Sequence, residues 1–162
     1  MNSFTISRTG TYLTVQDFGR FNYQHLGISP SGAMDHRILS ALNTIITKSE
    51  NQFLEFAYVG PSLKITEGAI KACVGGECKI FVQKQNNTQI EHKPYTSINL
   101  FEGDELTIHN TIDSVYGYIA IENGLGLQPC LNSYSTDTKA QIGSIPRPLQ
   151  IGDNFSIENK VS

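Results

Sequence analysis

The chain of 162 residues lacks several features that mark common classes of protein. It has no Trp, only three Cys and two Met, and its charged residues make up 17% of the total. No apolar run approaches the roughly 20 residues that span a bilayer, and the first ten residues contain no apolar segment of the signal-peptide type. We therefore expect a cytoplasmic protein that does not bind membranes.

Charge and short motifs exclude further classes. The formal net charge is −3 and Lys and Arg form no block, which argues against nucleic acid as a partner. The sequence has no phosphate-binding loop of the Gly-x-x-x-x-Gly-Lys type and no Gly-x-Ser-x-Gly motif of a serine hydrolase. Its four His are scattered and no Cys-x-x-Cys pair occurs, so no metal site is predicted.

Two of the cysteines lie close together in the sequence. Gly75 and Gly76, between Cys73 and Cys78, have the composition of a two-residue hairpin turn. Such a turn would place the two thiols opposite each other, which leaves a disulfide open as an alternative. Because cytosolic thiols normally stay reduced, we predict that both are free strand residues.

One helix is predicted, at about residues 35–48. Apolar residues recur there with the spacing of a single helix face, and Asp35 or Ser31 has the side chain of an N-cap. The apolar positions are Ile38, Leu39, Leu42, Ile45 and Ile46.

The rest of the chain predicts a mainly β fold. After Asn51, short apolar runs are separated by Gly, Pro or Asn, which is typical of a sandwich or a closed barrel. The length predicts a single domain over residues 1–162, with the helix flanking the strands. The predicted strands after Asn51 are Phe53–Tyr58, Leu63–Thr66, Ala69–Val74, Cys78–Gln83, Tyr95–Leu100, Glu105–His109 and Tyr116–Ile121.

Two polar loops carry the chemistry of this chain. The first spans residues 14–35 and the second spans residues 132–139, and both place carboxylates, hydroxyls and amides beside small residues. Backbone N–H groups and hydroxyls in such loops can bind a carbonyl oxygen, while a carboxylate accepts an amide proton. The structural alternative is that these Asp and Ser side chains cap turns while Arg20 pairs with Asp17.

Within these loops the sequence resembles the biotin-dependent carboxyltransferase family, which includes the C-type subunit of 5-oxoprolinase, allophanate hydrolase subunit 2 and a segment of urea carboxylase. The matching motifs are Thr-Val-Gln-Asp-Phe-Gly-Arg at 14–20, Tyr-Gln-His-Leu-Gly-Ile at 23–28, Pro-Ser-Gly-Ala-Met-Asp at 30–35 and Ser-Thr-Asp-Thr-Lys at 135–139. The resemblance implies a cyclophilin-like β-barrel, with residues 1–162 equivalent to the first subdomain of the family and the second subdomain absent.

The resemblance also implies a function. We expect a subunit, or part of a subunit, of an ATP-dependent 5-oxoprolinase or biotin-dependent carboxyltransferase that acts on a small amide- or urea-like substrate. No cofactor is assigned to this chain itself, and ATP or carboxybiotin would be used through the complex. The expected partners are a companion polypeptide that carries the missing subdomain, a protein like the B-type subunit of 5-oxoprolinase, or both.

Site residues follow from motif position and chemistry. We predict Asp17, Asp35 and Asp137 as catalytic carboxylates that accept or orient a proton. Arg20 is predicted to hold a substrate carboxylate or phosphate through two parallel hydrogen bonds. The remaining predicted substrate-binding residues are Gln24, Ser31, Glu55, Ser135 and Thr136.

Two other functions stay open. Some members of the family resemble an antagonist that sequesters a histidine-kinase inhibitor, and in that case the loops would form a protein interface without a reaction. An inactive gene remnant is the third interpretation, and it predicts low solubility and an exposed apolar flank.

Overall fold

The computed structural model describes residues 1–159 and confirms a mainly β fold with one flanking helix. The strands are β1 Asn2–Arg8, β2 Thr14–Gln16, β3 Phe53–Ala57, β4 Ser62–Glu67, β5 Ala69–Gly75, β6 Cys78–Gln83, β7 Gln89–His92, β8 Ile98–Phe101, β9 Glu105–Thr111, β10 Tyr116–Ile121 and β11 Asn154–Ile157. The helix α1 is His36–Ile45, and a short 3-10 turn spans Gln24–Leu26.

The strands form two antiparallel sheets around one core. The larger sheet has the order β11-β1-β4-β9-β6-β7 and the smaller has the order β2-β3-β10-β5-β8. Alternate residues of both sheets, among them Phe4, Leu54, Ile80 and Ile119, face the shared core and are fully buried. Because side chains alternate along a strand, the neighbours of these residues face outward.

A second, smaller core lies between α1 and the outer face of the smaller sheet. Leu39 and Leu42 of the helix pack there with Phe53, Cys73 and Tyr118 of the strands. The helix begins where the sequence predicts, because the Asp35 carboxylate accepts a hydrogen bond from the backbone N–H of Arg37 at 3.0 Å and thus caps the first turn. Ser31 is therefore not the cap.

The predicted hairpin at Gly75–Gly76 is wrong. β5 pairs with β8 and β10 in the smaller sheet, whereas β6 pairs with β7 and β9 in the larger one, so the chain crosses between sheets at this point. Glycine is needed at Gly75 because a Cβ there would come within 2.6 Å of the Ile38 side chain. Gly76 has a φ of +104°, which favours glycine.

The crossing separates the two cysteines. Cys73 lies in the core beneath α1, and Cys78 lies in the core between the sheets. Both thiols are free, as predicted, and burial raises the pKa of each to about 11. Thiols with such a pKa stay protonated near neutral pH and are poor nucleophiles.

Strand β7 is missing from the sequence-based prediction, and β8 begins later than predicted. Residues Gln89–His92 lie at the edge of the larger sheet and lack buried alternate positions, so no apolar pattern marks them. Tyr95 has a φ of +59°, which breaks the extended conformation before β8. None of the helices within residues 1–159 has the length and apolar character that a bilayer span requires.

Candidate functional site

The two polar loops meet along a buried line of hydrogen bonds, which we call the loop seam and define by Gln16, Asp17, Arg20, Ser133 and Ser135. Arg20 has no exposed surface. Its guanidinium donates to the carbonyl of Cys130 at 3.1 Å, to that of Ser135 at 2.9 Å and more weakly to that of Ser133. Arg20 therefore ties the first loop to the backbone of the second.

The alternative that Arg20 pairs with Asp17 is wrong. No carboxylate of residues 1–159 forms an ion pair with Arg20, and its Nη1 is buried without a hydrogen-bond partner in this range. The geometry favours a positioning role, in which Arg20 shapes the second loop. Direct binding of a substrate by Arg20 stays a prediction.

Asp17 is also bonded within the seam. Its carboxylate accepts hydrogen bonds from the backbone N–H groups of Gly19 and Tyr134, both at 2.8 Å, and from the Ser133 hydroxyl at 2.7 Å. These donors engage both carboxylate oxygens. Asp17 therefore has the surroundings of a structural anion, and its predicted catalytic role stays a prediction.

Ser135 and Thr136 complete the contact between the loops. The Ser135 hydroxyl donates to Gln16 Oε1 at 2.6 Å and accepts from the backbone N–H of Gly32 at 2.7 Å. The Thr136 hydroxyl donates to the carbonyl of Ile145 at 2.8 Å. Both hydroxyls already have hydrogen-bond partners within the chain. The predicted contact with substrate would therefore require these hydrogen bonds to break and be replaced by bonds to the substrate.

A second polar group, which we call the Glu55 cluster, comprises Met34, Asp35, Glu55 and Tyr118. Glu55 Oε2 accepts from the Tyr118 hydroxyl at 2.6 Å and from the backbone N–H of Met34 at 2.9 Å. The Tyr118 oxygen in turn accepts from the backbone N–H of Asp35 at 2.9 Å. This chain of bonds connects the smaller sheet to the N-terminal end of α1.

The two carboxylates of this cluster have pKa values shifted in opposite directions. Burial raises the pKa of Glu55, and this outweighs the hydrogen bonds from Tyr118 and Met34 that lower it. The hydrogen bond from Arg37 lowers the pKa of Asp35. Two carboxylates in such different environments are suited to separate acid–base roles.

Glu55 retains one oxygen for further contacts. The residue is 8% exposed, and Oε1 has no hydrogen-bond partner anywhere in the described part of the chain. A carboxylate oxygen with this freedom can accept a proton or a hydrogen bond from a small molecule.

A groove of about 620 Å³ lies beside the N-terminal end of α1. Its lining includes Asp35, Arg37, Glu77, Tyr95 and Asp113. Three of these residues carry carboxylates and one is a cation. The groove is large enough for a small ligand, and its charge disfavours polyanions.

The other predicted site residues make no side-chain hydrogen bond to either cluster within residues 1–159. Gln24 is exposed in the 3-10 turn, and Ser31 adopts a φ of +49° near the end of the first loop. Asp137 accepts hydrogen bonds from the backbone N–H groups of Lys139 and Ala140, which stabilises a turn of the second loop. No hydrogen bond within the described part of the chain joins these three side chains.

The motif loops and the mainly β architecture can be compared with known proteins. The model of the family described as carboxyltransferase domain, subdomain A and B, matches residues 26–162. The chain belongs to this family. The recognition made from its motif loops is thus confirmed, and the match begins at the end of the 3-10 turn and includes α1, β3 to β11 and the second loop.

Curated relatives and solved structures agree with this carboxyltransferase assignment. The chain is 34% identical over 151 residues to the C-type subunit of 5-oxoprolinase from Haemophilus influenzae, with 90% of this chain and 46% of the relative covered. It is 29% identical to urea amidolyase of Saccharomyces cerevisiae, covering 91% of this chain and 8% of the relative. The crystal structure of the Kluyveromyces lactis urea amidolyase superimposes with a TM-score of 0.85 at 26% identity, covering 96% of this chain and 9% of that one.

The coverage has a direct consequence for function. The chain spans about half the length of the 5-oxoprolinase relatives from Haemophilus influenzae and Escherichia coli. Both of those relatives are named as subunits, and urea amidolyase is far longer than this chain. The activity of a whole relative is therefore not transferred to this chain.

Three residues of the candidate site were not predicted from the sequence. Tyr118 joins Glu55 to the helix, whereas Gln16 and Ser133 bond within the seam. Tyr118 carries a usable signal, because it alternates with Tyr116 and Ala120 and lies directly opposite Glu55 across the β3–β10 pair. Gln16 and Ser133 have no comparable pattern.

Proposed function

We propose that the chain is a subunit, or part of a subunit, of an ATP-dependent 5-oxoprolinase or biotin-dependent carboxyltransferase. Its substrate would be a small amide- or urea-like molecule bound beside the N-terminal end of α1. The similarity to a 5-oxoprolinase subunit and to urea amidolyase supports the class of reaction. The observation that carries the site is the chain of hydrogen bonds from the Glu55 carboxylate through Tyr118 to the backbone N–H of Asp35, a residue that lines the groove.

The two carboxylates have different roles in this proposal. Asp35 remains ionised because its pKa is lowered, so it accepts a hydrogen bond from a substrate N–H and orients the amide. Glu55, whose pKa is raised by burial, is the residue that exchanges a proton, at its unbonded Oε1. Tyr118 is a positioning residue, since it holds Glu55 and the backbone of Asp35 in one arrangement.

The groove itself does not fit the anionic groups that the resemblance implies. ATP and carboxybiotin carry negative charge, whereas Asp35, Glu77 and Asp113 surround one cation, Arg37. We therefore propose that a companion polypeptide binds those groups, and that this chain binds, orients and exchanges protons with the amide. The predicted cytoplasmic location is consistent with this role and stays a prediction.

The test is an activity assay on the reconstituted complex. The chain would be purified with the products of neighbouring genes, and 5-oxoproline-dependent ATP hydrolysis would be measured for wild type and for Glu55→Gln. We expect the variant to lose about 100-fold in turnover, the usual lower bound for loss of a general acid–base group. Glu91→Gln is the matched control, because Glu91 is exposed on the edge strand β7. Equal turnover for Glu55→Gln and Glu91→Gln would refute the proposed role of Glu55.

A second candidate, a regulatory binding protein, is favoured by one observation. Four large apolar side chains in or next to the motif loops are exposed, namely Phe21, Leu26, Met34 and Leu131. Exposed apolar groups of this kind commonly mark a protein interface. Recovery of a stable complex that binds through these residues and shows no turnover would support this candidate over the enzyme.

A further inference from the structure

Two tyrosines and two aliphatic residues form an exposed group that contains no residue of the loop seam or of the Glu55 cluster. We call it the tyrosine patch and define it by Tyr12, Tyr58, Ile112 and Val115, which are 63%, 58%, 47% and 37% exposed. Backbone hydrogen bonds hold their segments together. The N–H of Tyr58 donates to the carbonyl of Val115 at 2.7 Å, and Thr11, next to Tyr12, bonds to the residues before and after Tyr58.

Tyr58 is held in a strained backbone conformation. Its φ is +64°, and the N–H of Val59 donates to the carbonyl of Ala57 at 2.7 Å, which places Tyr58 at the centre of a γ-turn. A γ-turn with positive φ is rare and strained, and bulky side chains are disfavoured in the left-handed region. Tyr12 also lies in this region, with a φ of +56°. Glycine would adopt either conformation without this cost.

The fold gains little from the side chains of these two tyrosines. Both are mostly exposed, and neither hydroxyl forms a hydrogen bond within residues 1–159. Strained residues cluster at sites where function requires them. Tyrosine is also enriched at the centres of protein interfaces, where its ring supplies a large contact area. Strain and exposure at Tyr12 and Tyr58 together indicate contact with another molecule.

Carboxylates adjoin the tyrosine patch. Asp113 follows Ile112 in the sequence, and the carbonyl of Glu77 accepts a hydrogen bond from the N–H of Ile112 at 2.6 Å. Both acidic side chains are exposed and line the groove beside α1, and neither forms an ion pair within the described residues. Arg37, the cation of this groove, pairs with Asp35. The potential beside the patch is therefore negative.

The combination of aromatic rings and carboxylates restricts the partner. A Lys or Arg side chain gains from a carboxylate and, over the face of a Tyr ring, from a cation–π contact. Nucleic acids and anionic membranes have the wrong charge for this surface. A second copy related by a twofold axis would bring the same carboxylates towards each other. Lys79 shares an apolar hollow with Ile112 but does not line the groove that holds the carboxylates.

We propose that the tyrosine patch, with Glu77 and Asp113, binds a segment of a partner protein in which a Lys or Arg is flanked by apolar residues. The cation binds to the two carboxylates, and the flanking apolar residues pack on the patch. This inference does not depend on the reaction proposed above, because it uses no residue of the loop seam or of the Glu55 cluster.

The test uses nuclear magnetic resonance of the ¹⁵N-labelled chain, titrated with acetyl-Leu-Arg-Leu-amide as the probe. We expect saturable shifts of the backbone signals of Tyr58, Asp113 and Val115 at millimolar probe. Acetyl-Leu-Glu-Leu-amide should bind at least about tenfold more weakly, a difference of roughly 1.4 kcal/mol. Absence of a saturable shift with the Arg peptide, or equal affinity for the two peptides, would overturn the proposal. Shifts of the same signals on dilution of the chain alone would identify a second copy as the occupant and would also overturn it.

Tyr58→Gly separates a binding role from a structural one. It removes the ring, and relief of the left-handed backbone offsets the entropic cost of glycine, so we expect the melting temperature to be retained. Affinity for the Arg peptide should fall at least about tenfold. Asn87→Gly is the matched control, because Asn87 has a φ of +67° in an exposed turn outside the patch, and it should bind as wild type does. Unchanged affinity in Tyr58→Gly would overturn the proposal, and if this variant does not fold, the wild-type titration still decides.

The double variant Glu77→Gln and Asp113→Asn tests the role of charge. Asn tolerates the φ of +54° at position 113, so the backbone is retained. We expect affinity for the Arg peptide to fall at least about tenfold and the preference over the Glu peptide to disappear. Glu102→Gln, an exposed position in the turn before β9, is the control and should bind as wild type does. A preference for the Arg peptide that survives in the double variant would overturn the role of these carboxylates.

Discussion

The loop seam and the Glu55 cluster are built from the same kinds of residue and behave differently. In the seam, both Asp17 oxygens have donors and Arg20 has no exposed surface. In the Glu55 cluster, one Glu55 oxygen has no partner within residues 1–159 and Asp35 borders a groove. The seam also holds an unused group, Arg20 Nη1, but it is buried, whereas Glu55 is 8% exposed. Exposure of the unused hydrogen-bonding group, and not the type of residue, thus distinguishes a site that can react from one that holds loops in place.

The largest expected effect comes from removing the hydrogen bonds that Arg20 makes in the loop seam. Arg20→Ala leaves the carbonyl of Ser135 without its side-chain donor, removes the bond to the carbonyl of Cys130 and opens a cavity. We expect a loss of roughly 3 kcal/mol or more in the free energy of unfolding, because an orphaned buried group costs about 1–3 kcal/mol and the cavity adds to this. Urea denaturation measures this loss.

Arg37→Ala provides the control for that experiment. The Arg37 side chain is 92% exposed, and its contact with Asp35 is a surface ion pair. Such pairs contribute about 0–1 kcal/mol. Equal destabilisation by Arg20→Ala and Arg37→Ala would show that the seam is not structural.

Much of the contrast between the loop seam and the Glu55 cluster could not be predicted from the sequence. Periodicity identifies α1 and most strands because burial of one face imposes it, and Asp35 is recognisable as a cap from its local chemistry. The partners of Arg20 are backbone carbonyls more than a hundred residues away, and the identity of those residues does not encode where their carbonyls point. Likewise, Gly75–Gly76 suits both a hairpin and a crossing between sheets, and packing against Ile38 decides between them.

A smaller loss of stability is expected from substitutions of Asp35 in the Glu55 cluster. Asp35→Ala removes the N-cap of α1, and we expect a loss of about 1 kcal/mol, typical of such caps. Asp35→Asn keeps a capping oxygen and should lose much less. Thermal or urea denaturation of the two variants measures the difference. If both variants lose stability equally, the charge of Asp35 matters more than its capping bond.

The smallest expected effect is a pH dependence from Glu55. Its folded-state pKa is raised by burial, so between the unfolded and folded pKa values the folded state binds more protons than the unfolded state. The contribution of Glu55 to stability is therefore full below the unfolded pKa and is lost as pH rises through the folded pKa. The effect is small because bonds from Tyr118 and Met34 oppose the shift.

Glu55→Gln isolates that contribution. The free energy of unfolding of wild type should fall relative to this variant between about pH 4, near the pKa of an unperturbed Glu, and neutrality. Urea denaturation across this range measures the difference. Parallel pH profiles of the two chains would mean that Glu55 is not perturbed by burial.

The bonds of Arg20 also bear on how the chain acquires its structure. They close a loop of more than a hundred residues, and such long closures carry an entropic cost that delays them in folding. Neither motif loop has all of its native partners until the other is in place. Amide protons of Gly19, Gly32 and Tyr134, which all bond within or across this contact, should therefore exchange with solvent through one shared opening event.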